Sequence, residues 1–235
     1  MRRFFAEINN GLAVFTSNTL KHIKVLRINL NEEVEIVNEG KVYLASFTSL
    51  NPLECKIIKE LDVNRELKVN SVLFAPLLKR DNFEFVLQKA VELGVKEIYP
   101  YVSSRVIKRV SKSDFENKRE RFESIILNAA EQSNRTVIPK LHSLSNLEDL
   151  AKLKIDTFNK FIAYEEEALS DNLIEQIDKN KDVVYLFGPE GGFSPSEVKL
   201  FVTSGYKSIS LGKRILKAET AMIAGLSIIN YLLEK

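Results

Sequence analysis

Apolar and polar positions along this chain follow two regimes that meet near residue 70. Before that point the signals are those of strands. VEIV (34–37), the turn residues Asn38-Glu39-Gly40 and KVYLASF (41–47) predict a hairpin with a three-residue connection, and no long helical period interrupts the segment. Beyond it, short apolar runs alternate with helical stripes. SVLFAPL (71–77) leads into FEFVLQKAVELG, where Phe83, Val86, Leu87, Ala90 and Val91 recur at helical spacing and Gly94 stands where a helix ends. EIYPYV (97–102), KFIAYEE (160–166), VVYLF (183–187) and SISL (208–211) predict further strands. Helices are predicted around 112–134, with Phe122, Ile125, Ile126, Ala129 and Ala130 on one stripe, near 172–179, from 195 and from about 218. Such alternation predicts an α/β fold, a mostly parallel sheet covered on both faces. The chain therefore divides into a small β domain, 1–70, and a larger α/β domain, 71–235.

The last predicted helix, ETAMIAGLSIINYLL, is apolar on nearly every face. It must be buried all round, under the sheet or against a second subunit, and the latter makes the protein a dimer.

Composition narrows the classes without choosing among them. The 235 residues are 45% hydrophobic and 28% charged, an ordinary globular balance, and 34 lysines and arginines against 32 acids leave a net charge of +2. A nucleic-acid surface must then be a local patch. The single Cys55 forms no internal disulfide, and with only His22 and His142 it falls short of a zinc set, so no metal is expected. The start MRRFFAEINN lacks the apolar core of a signal peptide and no run approaches the ~18 apolar residues of a membrane span, which points to a reducing cytoplasm with no membrane partner.

Candidate chemistry concentrates in LFGPEGGFSPSE (186–197). Its second half has a local explanation. Ser194, Pro195 and Glu197 supply the N-cap, first-turn proline and capping-box acid of the next helix, with Phe193 and Val198 spaced as a hydrophobic staple. GPEGG is not needed for that. Two adjacent glycines at the carboxyl end of a parallel strand suit either a tight strand-to-helix turn or backbone approached by a ligand. The spacing is neither G-x-G-x-x-G nor a phosphate loop, which disfavours a nucleotide-dependent oxidoreductase, and GFSPS misses the nucleophile-elbow pattern at Ser196. SLGKRILKAETA (210–221) repeats the arrangement through Gly212, and two such loops on nearby strands can wall one pocket.

Together, GPEGGFSPSE and LGKRILKAETA resemble the signature pair of the RsmE-type ribosomal RNA methyltransferases of the SPOUT class. HIKVLR (22–27), QKAVELGVKEIYP (88–100), the SRVIK stretch (104–108) and AAEQSNRTVIPK (129–140) agree, so the resemblance runs in order through nearly the whole chain. It implies a PUA-like β-barrel domain, a methyltransferase domain with a carboxyl-terminal trefoil knot around S-adenosylmethionine, a homodimer, and methylation of uridine N3 in 16S small-subunit ribosomal RNA. The cofactor-binding residues it implies are Leu186, Gly188, Pro189, Gly191, Gly192, Leu211, Gly212, Ile215 and Leu216. Two departures stand out: Lys217 occupies a place usually held by arginine, losing the planar fork, and Ser104 a place often held by an acid.

Uracil N3 becomes nucleophilic only as its proton leaves, so the site needs a base or a cation beside the developing oxyanion. The matched motifs offer Arg135 for a base oxygen or phosphate, Glu190 as proton acceptor and Lys217 as neutralising cation, each also explicable as an ordinary surface or turn residue; Glu219 and Thr220 cap the final helix. RNA contact is expected from the basic run 105–121, with Arg105 and Lys108, and from Arg2, Arg3, Lys21, Lys24 and Arg27. A non-catalytic RNA-binding or ribosome-assembly module of the same fold is the alternative, and the retained Gly191, Gly192 and Gly212 argue against it.

Overall fold

The structure is a computed structural model and describes residues 1–103, 111–155, 158–164 and 177–235. The chain forms two compact units, Met1–Glu66 with Leu127–Ile138, and Leu67–Ile126 with Pro139–Lys235.

The first unit is a mixed sheet of six strands: β1 (Arg2–Phe5), β2 (Glu7–Asn9), β3 (Leu12–Val14), β4 (Glu33–Asn38), β5 (Lys41–Leu50) and β6 (Leu53–Leu61), in the order β1-β4-β5-β6-β3-β2. β1 and β4 pair in parallel; the other pairs are antiparallel. Phe4, Val34, Ile36, Ala45, Phe47 and Cys55 form its core, and Phe15 stacks on Phe47 at 6.1 Å. The predicted hairpin is β4–β5, but its connection is shorter than expected. Asn38 pairs with Lys41, leaving Glu39 and Gly40 at φ 48° and 79°, the two positive angles of a type I′ turn. A helix unforeseen in the sequence, α1 (Ser17–Val25), also belongs here. Thr16 caps it by accepting from the Thr19 amide, and it buries only Thr19 and Ile23, too narrow a stripe to show as a period.

Three buried polar attachments bind Leu127–Ile138 into this unit. The Arg3 guanidinium donates to Glu35 at 2.9 Å and to the carbonyls of Asn134 and Arg135. Arg135 donates to Glu66 at 2.6 Å, and Glu66 also accepts from the Thr136 amide at 2.9 Å. Glu131 accepts from the Phe5 amide and faces His22 Nδ1 at 3.2 Å. A single cut at residue 70 misses this return of the chain.

The second unit holds β7 (Ser71–Pro76), β8 (Glu97–Val102), β9 (Lys140–Leu141), β10 (Ser145–Asn146), β11 (Asn159–Ala163), β12 (Val183–Leu186) and β13 (Lys207–Ile209). Their order is β10-β8-β7-β12-β11-β13, with β9 on β8, and every described pair is parallel. β7 and β12 are buried at every position, which explains their unbroken apolar runs. The described helices are α2 (Arg80–Glu92), α3 (Lys112–Glu116), α4 (Arg119–Gln132), α5 (Leu147–Ala151), α6 (Pro195–Thr203) and α7 (Ala218–Glu234), α4 having residues in both units. The single helix expected over 112–134 is thus two. Ser111 and Asp114 start α3 with a capping box, Asn117 closes it, and Phe115 and Phe122 both turn onto Phe83. The helix expected near 172–179 falls largely outside the described residues.

α7 packs on α2 and buries Met222, Gly225, Leu226, Ile229 and Leu233. Its Asn230 accepts from Tyr185 Oη on β12 at 2.5 Å and donates to the Leu93 carbonyl, so this buried amide is satisfied. Among the described residues burial all round is not reached: Ile228 and Tyr231 remain exposed.

Candidate active site

A cleft of about 340 Å³ opens in the second unit where the chain leaves β7, β11, β12 and β13. All four exits lie at the carboxyl edge of the parallel sheet, where such folds bind ligands. Lys79 and Asn82 enter from the β7 side, Ala163 and Tyr164 from β11, Phe187–Glu190 and Gly192 from β12, and Ser210–Gly212 and Arg214–Glu219 from β13.

Each wall has a local cause. β12 ends as Tyr101 Oη on β8 donates to the Phe187 carbonyl at 2.5 Å, pinning the strand end. The GPEGG loop then turns on a hydrogen bond from the Gly192 amide to the Pro189 carbonyl, 2.9 Å, with Gly192 at φ 65°. Ser194 and Glu197 close a capping box on α6, and Phe193 and Val198 pack in one apolar cluster, as their spacing predicts. On the facing loop, Gly212 adopts φ 120°, and a Cβ there meets nothing within 4 Å, so its backbone borders open cleft. Gly225 does the reverse: a Cβ there comes within 2.6 Å of the Phe187 ring, so the missing side chain lets α7 lie against the cleft wall.

Of the residues implied to hold a cofactor, Gly188, Pro189, Gly192, Leu211, Gly212, Ile215 and Leu216 line this cleft. Leu186 is buried in the core beneath it, and Gly191 is exposed outside the lining. Glu190 and Lys217 line the cleft too. One Glu190 carboxylate oxygen lies 3.4 Å from the Lys79 amide at the start of α2. Arg135 is not among the lining residues. It belongs to the first unit, is 4% exposed, and its guanidinium is engaged by Glu66, a partner with no motif to announce it. Burial alone raises the Glu66 carboxyl, but the Arg135 hydrogen bond and charge and the Thr136 and Val137 amides outweigh it and hold it below the usual value.

The expected RNA-contact residues divide as well. Arg3 is a correction, since its buried guanidinium is spent on Glu35 and two carbonyls and presents no charge at the surface. Arg2 is exposed and paired with Glu32 at 2.7 Å, while Arg27 is exposed at φ 49°. Arg105 and Lys108 lie outside the described residues. The cleft residues missed in the sequence are chiefly Lys79, Asn82, Tyr164, Ser210 and Arg214. Arg214 and Ser210 sit within a quoted motif, whereas Lys79 and Asn82 follow β7, more than a hundred residues away in sequence, and only the strand order brings them in.

The lining suits S-adenosylmethionine. Phe187, Leu211, Leu216 and Ala163 offer apolar wall, exposed loop backbone and Ser210 offer hydrogen bonds, and both signs of charge are present for a zwitterionic sulfonium. No group of three metal-ligating side chains occurs among the described residues, and no described helix is long and apolar enough to cross a membrane.

Comparison with known proteins agrees with this geometry. Residues 65–230 match the RNA methyltransferase domain family, and residues 15–60 match the RNA methyltransferase PUA domain. The chain is 39% identical to the ribosomal RNA small subunit methyltransferase E of Mesomycoplasma hyopneumoniae, over 95% of this chain and 96% of that one, and 29% identical to its Bacillus subtilis namesake, over 98% and 96%. A crystal structure of ribosomal RNA small subunit methyltransferase E from Neisseria gonorrhoeae, bound to S-adenosylmethionine, superposes with a TM-score of 0.88 at 29% identity, covering 99% of this chain and 98% of that one. A Legionella pneumophila methyltransferase in complex with the same cofactor gives 0.82 at 28%, covering 97% and 96%. With a PUA-like mixed sheet ahead of a parallel sheet whose carboxyl edge carries both glycine loops, the chain belongs to the RNA methyltransferase family.

Proposed function

We propose that this protein transfers a methyl group from S-adenosylmethionine to N3 of a uridine in 16S ribosomal RNA of the small subunit. The observation that carries the reading is the convergence of the 187–192 and 210–217 loops on one cleft, in a chain whose relatives are named for small-subunit RNA methylation. The reading includes a SPOUT-type carboxyl-terminal knot, a cytoplasmic setting and a homodimer; the exposed Ile228 and Tyr231 on α7 support the last.

When bound, S-adenosylmethionine supplies an activated methyl on a sulfonium. The protein has then to hold the acceptor in line and manage one proton. Glu190, steadied by the Lys79 amide, takes the N3 proton. Lys217, exposed at the N-terminal boundary of α7, stands beside the uracil oxygens as charge develops on them, with Arg214 on the same wall. Arg135 holds the 127–138 segment through Glu66.

Incubation with methyl-labelled S-adenosylmethionine and small subunits lacking the modification tests this. Label recovered as 3-methyluridine after nuclease digestion is the expected result. Label in another nucleoside refutes the site of transfer, and no label in RNA refutes the activity.

A further inference from the structure

The first turn of α2 brings Asn82 to the cleft, the one side-chain amide among its described lining residues. Asn82 is the third residue of the helix, a position from which a side chain ordinarily reaches back to the amide of the cap residue. Here that amide, of Lys79, donates to Glu190 Oε1 at 3.4 Å instead, and the Asn82 carboxamide makes no hydrogen bond among the described residues. The turn that carries it is nonetheless fixed. Phe83 is buried, its ring edge-on to those of Phe115 and Phe122 at 6.4 and 5.2 Å. Asn82 is thus a half-buried amide on an anchored turn, released from capping by the residue proposed to take the N3 proton, and it can meet a ligand at a set position.

The order of the walls says which ligand. The sheet runs β7-β12-β11-β13, so Glu190, after β12, has α2 on one side and the 210–217 loop on the other. Uracil repeats that order along one edge, with N3 between two carbonyl oxygens. When N3 meets Glu190, one oxygen faces Lys217 and Arg214 and the other faces α2. Proton loss spreads negative charge over both oxygens, and cations on one side leave the second without a donor. Asn82 suits it better than the exposed Lys79, whose long stem loses more freedom on being held. The adenine of the cofactor also has an edge that an amide can match, but the loops that carry the cofactor residues leave from β12 and β13, not from β7.

We infer that Asn82 Nδ2 donates to the uracil carbonyl oxygen on the side of N3 away from Lys217, holding the charge that develops there while Glu190 takes the proton and the methyl passes from sulfur to nitrogen. This rests on the proposed uridine methylation and adds to it the residue that serves the second oxygen.

Single-turnover transfer to unmodified small subunits, read as 3-methyluridine, tests it. Asn82→Asp keeps the shape and removes the donor, Asn82→Ala removes both, and each slows transfer by roughly a hundredfold or more. Cofactor affinity by calorimetry stays at the wild-type value, which also shows that the variants fold. The deficit of Asn82→Ala narrows as pH is raised, because N3 then ionises with less help from a donor. A wild-type rate in either variant overturns the inference. So does a matching loss of cofactor affinity, which assigns Asn82 to the adenine, or a deficit equal at every pH, which assigns it to structure alone. Wild-type protein that yields no 3-methyluridine refutes the proposed reaction itself, and the role of Asn82 with it.

Discussion

Replacing Glu66 with alanine removes the carboxylate on which the 127–138 segment hangs. In the native protein its oxygens accept from Arg135 Nη2 at 2.6 Å, from Arg135 Nε at 3.2 Å and from the Thr136 amide at 2.9 Å, with both ionic side chains under 10% exposed (4% and 8%). Arginine cannot shed its proton, so the variant keeps a buried cation with its main counter-charge gone, a loss of about 3–5 kcal/mol. That is a large share of the ~5–15 kcal/mol that stabilises a folded protein. The double variant Glu66→Leu with Arg135→Met removes both charges at similar volume and returns most of the loss. Urea unfolding followed by circular dichroism at pH 7.5 measures both. A Glu66→Ala loss below about 1 kcal/mol, or a double variant no more stable than the single, refutes the account. The pH dependence has a defined sign. Because the Glu66 carboxyl is held below its usual value, its contribution is present above the unfolded carboxyl value near 4.5 and disappears as pH falls through the lower folded one. The wild-type advantage over the double variant should therefore shrink on the acid side only.

Glu131 has the opposite sign: burial, partly opposed by the Phe5 amide, pushes its carboxyl up to about 7, so the folded state loses stability as pH rises from about 4.5 through 7. Glu131→Gln should leave stability unchanged near pH 4.5 and raise it at pH 8, by at most about 3 kcal/mol for a shift of that size, read from urea midpoints at the two values. Gly225→Ala forces a Cβ to within 2.6 Å of the Phe187 ring and should cost about 1–3 kcal/mol in thermal or urea unfolding. Because Phe187 also lines the cleft, calorimetry should show weaker S-adenosylmethionine binding in the same variant; unaltered affinity would separate the ring's position from the cofactor site.

Much of the second unit can be read from residue order alone. β7 and β12 are short unbroken apolar runs because both faces of a parallel strand are covered, and the start of α6 is written in Ser194, Pro195 and Glu197 because capping is a contact between residues three apart. The two glycine loops are likewise visible, being local departures from what a strand-to-helix turn needs. Tertiary structure alone decided the rest. Lys79 and Asn82 reach the cleft because β7 pairs with β12, a strand more than a hundred residues later. Arg3 and Arg135 look like surface cations in the chain, yet Glu35 and Glu66 draw them into the first unit, since a buried charge is tolerated only where its partner waits, and that partner lies 32 and 69 residues away. Local periodicity records what a residue needs from its nearest neighbours; which distant side chain satisfies a charge, or faces a strand end, is fixed only when the sheet order closes the chain on itself.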